Sequence, residues 1–147
     1  MIALDTNILI YTVGEEDNER RHERSLALMR MIGPSGAIVP LQVIGEFLNA
    51  CRRKKILSNI LSLQRASEFL EAFDCHQTRA NDLLEAMHLS ARFTLQYFDA
   101  LIITVAARAG ATILLSEDMH DGLVIDGLTI VNPFVAGNDK VIAAALG

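Results

Sequence analysis

Four acidic side chains stand where they could do chemistry together. Asp5 interrupts the apolar opening "MIALDTNILIY", Asp118 follows an apolar run in "TILLSEDM", and Asp99 heads the almost wholly apolar "FDALIITVAARAG". Glu46 shares a polar stripe with Gln42, Asn49 and Arg53, at spacings of three or four. Four carboxylates with no His or Cys cluster offer hard oxygen donors, which suit Mg²⁺ or Mn²⁺. Such a site suits phosphodiester hydrolysis, because the metal activates water and stabilises charge on the phosphate and the leaving oxygen. Without a cation, four carboxylates in one cleft repel one another and some hold protons. The chemistry needs no Ser–His–Asp arrangement, and the sequence offers none.

Each acid also has a purely structural explanation. Asp5 and Asp118 suit the cap of a following helix, since Asp is a favoured N-cap. Asp99 at the start of a buried helix is served by free N–H groups and the helix dipole. Glu46 alone reads as part of a solvated face. The choice turns on the elements that carry them.

Ile2–Leu4 reads as a strand, and Asp5 follows it. Arg20–Ile32 reads as an amphipathic helix stopped by "GPSG". "AIVP" (37–40) is a second strand, followed by a helix over Leu41–Lys54 that brings Glu46 on its second turn. Ser58–Ala72 is a helix with Ser58 as its cap, and "FDCHQ" holds a weak third strand. Thr78–Arg92 and Phe98–Ala109 are helical, the latter ending at Gly110, a typical C′ residue. "TILLS" (112–116) and "LTIV" (128–131) are the last strands. Residues 1–134 read as one domain and 135–147 as a tail with a short helix from Asp139. This alternation predicts an α/β fold with a parallel sheet of about five strands and helices on both faces. Ligands in such folds sit beyond the carboxyl ends of the strands, at a topological switch point. Asp5 and Asp118 occupy two such ends.

The bulk properties agree. The chain has 147 residues, enough for one domain, and 51% are apolar. A net charge of −5 argues against a general nucleic-acid coat protein but not against a nuclease whose bound metal reverses the local sign. No apolar run approaches a membrane span and no secretory signal is visible. Cys51 and Cys75 have neither disulfide nor zinc spacing, so both read as free thiols in a cytoplasmic protein.

The ordered set "ALDTNILIY", "VIGEF", "YFDALIITVAARAGATILLSEDM" and "GLTIVNPF" resembles PIN domains, and within them the VapC-type ribonuclease toxins of toxin–antitoxin pairs. It runs from Ile2 to Phe134. The resemblance implies an α/β/α sandwich in which Asp5, Glu46, Asp99 and Asp118 bind Mg²⁺ or Mn²⁺ and position water for attack on RNA. It implies supporting roles for Thr6, Asn7 and Ser116. It gives Asp121 the place of a further acid, with an exposed turn before Gly122 as the alternative. An antitoxin partner and a homodimer are implied too.

"RRKK" (Arg52, Arg53, Lys54, Lys55) closes a helix, where cations favour the dipole, and is also a candidate RNA phosphate contact. "RRHER" (20–24) reads as a solvated face, Glu117 as solvent-facing, and Leu57, Ile60, Leu61 and Leu63 as core, or as part of an antitoxin groove. Two rivals remain. A haloacid-dehalogenase-like phosphatase would use Asp5 as nucleophile, but it wants an acid where Asn7 stands. A non-catalytic Mg²⁺-binding or scaffold module leaves four acids unexplained.

Overall fold

The computed structural model describes residues 1–14, 20–33 and 36–147. Part of the expected "GPSG" stop lies outside the described residues. Ile2–Leu4 forms β1, followed by α1 (Thr6–Val13), α2 (Arg21–Ile32) and β2 (Ala37–Pro40). Then come α3 (Leu41–Arg53), α4 (Asn59–Ala72), β3 (Asp74–His76), α5 (Ala80–Phe93) and α6 (Tyr97–Arg108). The chain closes with β4 (Ile113–Leu115), β5 (Val124–Ile125), β6 (Leu128–Val131) and α7 (Asp139–Leu146).

The sheet has six strands, not about five, in the order β3-β2-β1-β4-β6-β5. All neighbours are parallel except the β5–β6 pair. The extra strand is a hairpin arm of two residues, too short to show periodicity. Its turn was legible, however: Asp126 and Gly127 both take positive φ (49° and 85°), as a D-G hairpin turn between apolar pairs does.

Chain order and handedness fix the layers. The connections β1–β2 and β2–β3 step one way across the sheet, and β3–β4 steps back past β1. Right-handed crossovers then put α1 to α4 on one face and α5 with α6 on the other. The contacts follow: α1 packs on α2 and α3, α3 on α4, and α5 on α6. The three central strands are buried throughout, and Ile102, Ile103, Phe47 and Leu9 seal the sheet from its two sides. Ile142 of α7 is also fully buried.

Several caps match the sequence reading. The Ser58 side chain accepts from the Leu61 N–H at 3.2 Å. Gly110, at φ 97°, ends α6, with the Ala111 N–H bonding back to the Ala106 carbonyl. Cys51 and Cys75 are free. The stripe expected as core on α4 is not core. Ile60, Leu61 and Leu63 are exposed, because α4 touches the sheet side mainly through Ser62 and Ala66. Among the described residues no helix is long and apolar enough to cross a membrane.

Candidate active site

The crossover direction reverses between β1 and β4, so their carboxyl ends border the crevice of the sheet. Leu4 and Leu115 are register partners. The Asp5 N–H therefore continues the ladder onto the Leu115 carbonyl at 3.0 Å, and Asp5 and Ser116 come side by side. The Ser116 hydroxyl, fully buried, donates to Asp5 Oδ2 at 2.7 Å, and the Thr6 N–H donates to Oδ1 at 2.7 Å. Asp5 does sit at the N-cap of α1, as the structural explanation required. Yet it is only 7% exposed and faces other carboxylates.

Beyond these strand ends lies a cleft of about 290 Å³ lined by Asp5, Thr6, Asn7, Glu46, Asn49, Arg53, Lys54, Asp99 and Asp118. Four separate elements deliver the acids. The polar stripe of α3 brings Glu46, the first turn of α6 brings Asp99, and the bend after β4 brings Asp118. No helix follows that bend directly, so Asp118 is not a cap.

Three of the four acids are held by neutral donors. The Thr6 hydroxyl donates to Glu46 Oε2 at 2.6 Å, and the Gln42 amide to Oε1 at 2.8 Å. The same Gln42 amide reaches the Phe98 carbonyl at 3.1 Å, tying α3 to the start of α6. Asn7 donates to Asp118 Oδ2. Asp99 accepts no hydrogen bond among the described residues, so no helix N–H caps it, although it stands in the first turn of α6, where the dipole favours an acid.

Electrostatics records the crowding. Burial pushes the Asp5 carboxyl up to about 6, against the hydrogen bonds from Ser116 and Thr6, and Asp99 and Glu46 add repulsion. Burial likewise raises Asp99, with Glu46 and Asp118 repelling it further. No salt bridge neutralises any of the four among the described residues.

These donors are all hard oxygens, crowded together and, except for the exposed Asp118, partly desolvated, which fits a divalent cation of the Mg²⁺ or Mn²⁺ kind. They do not form a finished shell. Among the described residues no three carboxylate, imidazole or thiol groups are gathered tightly enough to hold an ion as they stand. Binding would exchange some bonds to Thr6, Gln42 and Asn7 for bonds to the metal.

The other expected residues divide. Arg53 and Lys54 border the cleft, while Arg52 and Lys55 do not line it. Asp121 is not in the cleft either. It accepts from the Asn132 N–H at 2.8 Å and from the Asn138 amide at 3.0 Å, pinning the segment after β6. Glu117 is not solvent-facing: Arg21 pairs with it at 3.0 Å and the Tyr11 hydroxyl donates to it at 3.2 Å. Its burial beside Glu117 raises the Tyr11 hydroxyl to about 12. The "RRHER" helix is likewise committed, with Arg24 bonded to Asp139 and the Pro133 carbonyl. Residues separated by roughly a hundred positions leave no periodicity to read, so Glu117 and Arg21 were not pairable from sequence.

The PIN domain family model matches residues 2–120. The chain belongs to the PIN-domain family. A ribonuclease of Mycobacterium tuberculosis, VapC7, is 30% identical over 124 residues, spanning 80% of this chain and 82% of that one. Among solved structures, a toxin–antitoxin complex from Klebsiella pneumoniae superimposes with a TM-score of 0.68 at 17% identity, covering 90% of this PIN chain and 98% of that one. VapC20 of M. tuberculosis, described as a sarcin–ricin loop cleaving toxin, gives 0.66 at 18% identity, covering 78% and 87%. VapBC2 from Rickettsia felis, bound to a promoter DNA fragment, gives 0.61 at 17%, covering 88% and 97%. At such identities the structural likenesses speak for the PIN fold alone.

Proposed function

We propose that this PIN domain is a VapC-type endoribonuclease that hydrolyses RNA phosphodiester bonds with a divalent cation and is restrained by a cognate antitoxin. One observation carries the reading. Carboxylates from four elements converge on the switch-point cleft, and among the described residues none of them is in a salt bridge, although Arg53 and Lys54 stand at its border. The relative named a ribonuclease supports the RNA substrate, and the toxin–antitoxin assemblies support the partner.

Asp5, Glu46, Asp99 and Asp118 would hold the cation. When bound, a hard divalent cation supplies charge to the phosphate and makes water more acidic. The chain's own residues set the geometry. Ser116 and the Thr6 N–H fix both oxygens of Asp5, Thr6 and Gln42 fix both of Glu46, and Asn7 fixes Asp118. Asp99 is left able to take a proton or a ligand bond. Arg53 and Lys54 face the phosphates of RNA entering the cleft. Hydrolysis adds the hydroxyl of water to phosphorus, breaks the bond to the leaving oxygen and gives that oxygen a proton.

Exposed apolar residues, Ile60 and Leu63 on α4 and Leu84 and Met87 on α5, suit protein partners: the antitoxin and a second copy of the chain. The work is done where RNA is, in the cytoplasm. The phosphatase rival loses its footing, because Asn7 serves Asp118 instead of acting as an acid.

The test is incubation with structured RNAs and Mn²⁺ or Mg²⁺, then with excess EDTA, beside Asp5→Asn. Cleavage should require metal and Asp5. Cleavage that survives either change sinks the mechanism. Calorimetric titration with Mn²⁺ gives an independent readout, and equal binding by wild type and Asp5→Asn would remove Asp5 from the donor set.

A further inference from the structure

A second cavity adjoins the carboxylate cleft. It measures about 620 Å³, within the ~300–1,000 Å³ usual for small-ligand sites. Ile10, Tyr11, Ile56 and Leu57 line it, together with Lys54 and Lys55. Ile10 and Lys54 also line the carboxylate cleft, so the two spaces share a wall. The cavity wall is thus mixed, with apolar and aromatic side chains beside two ammonium groups, and it adjoins the cleft that holds the acids.

The cations are uncommitted. Arg53, Lys54 and Lys55 are exposed and form no ion pair among the described residues. Their backbone is nevertheless well fixed. The Ile56 N–H bonds to the Cys51 carbonyl at 3.0 Å, closing α3 with the six-to-one bond of a Schellman motif. Lys55 sits at its left-handed position, φ 54°, where glycine is favoured. A cation therefore holds a place that backbone preference would give to glycine. Tyr11 is fixed as well. Its hydroxyl bonds Glu117 at 3.2 Å and its ring meets Phe134 edge-on at 5.4 Å.

We propose that this cavity is a nucleobase slot: it takes one unpaired base of the RNA next to the phosphate being cleaved, with Lys54 and Lys55 on the flanking phosphates. This rests on the ribonuclease reading and adds to it a specificity-determining subsite. The match is chemical. A flipped base needs an apolar or aromatic wall to replace stacking, and a strand needs cations along its backbone. The shared wall at Lys54 and Ile10 puts the slot within a nucleotide or so of the acids. The substrate at this point is single-stranded, since a paired base could not enter.

The experiment first maps a cleavage site in a structured RNA. Single abasic nucleotides are then placed at each of the flanking positions, and kcat/KM is measured with Mn²⁺ for wild type, Leu57→Trp and Gly14→Leu. Both variants fill the cavity. At Gly14, φ is −97° and an added Cβ would meet the Ile10 carbonyl oxygen at 3.5 Å and Ile56 at 3.7 Å, both van der Waals distances, so this variant serves if Leu57→Trp misfolds. In wild type, one flanking position should lose about tenfold on base removal, the scale of a single base–aromatic contact. The filled variants should lose about tenfold on intact RNA and nothing more at that position. Losses that multiply, or no sensitive position, overturn the slot while leaving the ribonuclease reading intact. No cleavage by wild type at all overturns both. Filled variants that cleave normally but escape the antitoxin reassign the cavity to protein recognition and overturn the proposal.

Discussion

Asp5 and Asp82 are both buried aspartates, 7% and 3% exposed, and they sit in opposite electrostatic settings. Asp82, on α5, meets Arg108 at the last residue of α6. The guanidinium forks onto both carboxylate oxygens at 2.8 Å, and the Arg79 N–H adds a third bond at 2.7 Å. The Arg108 hydrogen bonds hold Asp82 below the usual carboxylate range. Asp99, in the first turn of the same helix, has no such partner and is pushed up, as Asp5 is. One end of α6 spends charge on stability, and the other stores unneutralised charge. A protein that needed only a stable fold would clamp both ends. The cleft is where this fold departs from that rule, as functional sites do.

The largest effect should come from breaking the cleft side. Asp5→Asn should lower metal-dependent RNA cleavage by more than about 100-fold, the upper range for losing even an outer partner of a metal site. The same variant should be more stable than wild type in EDTA at pH 7.5, by up to about 3 kcal/mol, since the buried charge is gone. Urea unfolding measures the second, and a variant that is less active and less stable would cancel the contrast.

The pH dependence of metal-free stability sharpens the comparison. The Asp5 value is raised from 3.8 to about 6, so the stability it contributes is full below about 4 and is lost as pH rises through about 6. Asp82 is lowered, so its contribution is present above its unfolded value, near 4, and is lost as pH falls through its lower folded value. Urea midpoints across pH 3–8 should therefore decline from about pH 4 to 6 in wild type and decline less there in Asp5→Asn, where only Asp99 remains raised. An unchanged slope would show that Asp5 is not the group responsible.

Breaking the clamp comes next. Asp82→Asn should cost about 2–3 kcal/mol, below the 3–5 of a fully buried pair because the Arg108 side chain is 25% exposed. Cleavage per folded molecule should not change. The smallest effect belongs to Thr6→Val, which removes the donor to Glu46. It should weaken Mn²⁺ binding about tenfold, within the range for an outer-shell partner, with little change in fold stability. Calorimetric titration decides it.

Much of this contrast could be read from the sequence, but unevenly. Asp5 and Asp118 were found by one rule, that ligands gather at the carboxyl ends of parallel strands. Asp99 and Glu46 needed the buried character of one helix and the polar stripe of another. What stayed hidden was pairing at long range. Nothing near Glu117 announces Arg21, and nothing near Asp82 announces Arg108, because such pairs are chosen by packing. The role of Gln42 as a brace between Glu46 and the Phe98 carbonyl was hidden for the same reason, although its place on the stripe was seen. β5 differs, since its two residues are too few to show a period although the D-G turn beside them is plain in the sequence. The stripe on α4 misled because periodicity reports a face and not what covers it.

The bonds from Ser116 to Asp5 and from Asn7 to Asp118 each join residues 111 positions apart. In synthesis β1 precedes β4, its neighbour across the crevice, with β2, β3 and α1 to α6 between them. Contacts of such span are slow to form and cannot form at all on a partial chain. A growing polypeptide therefore carries Asp5 and Glu46 past the translation machinery with no cleft to place them in. Strand order acts as a timer: the cleft is assembled only once β4 has followed β1 out of the ribosome.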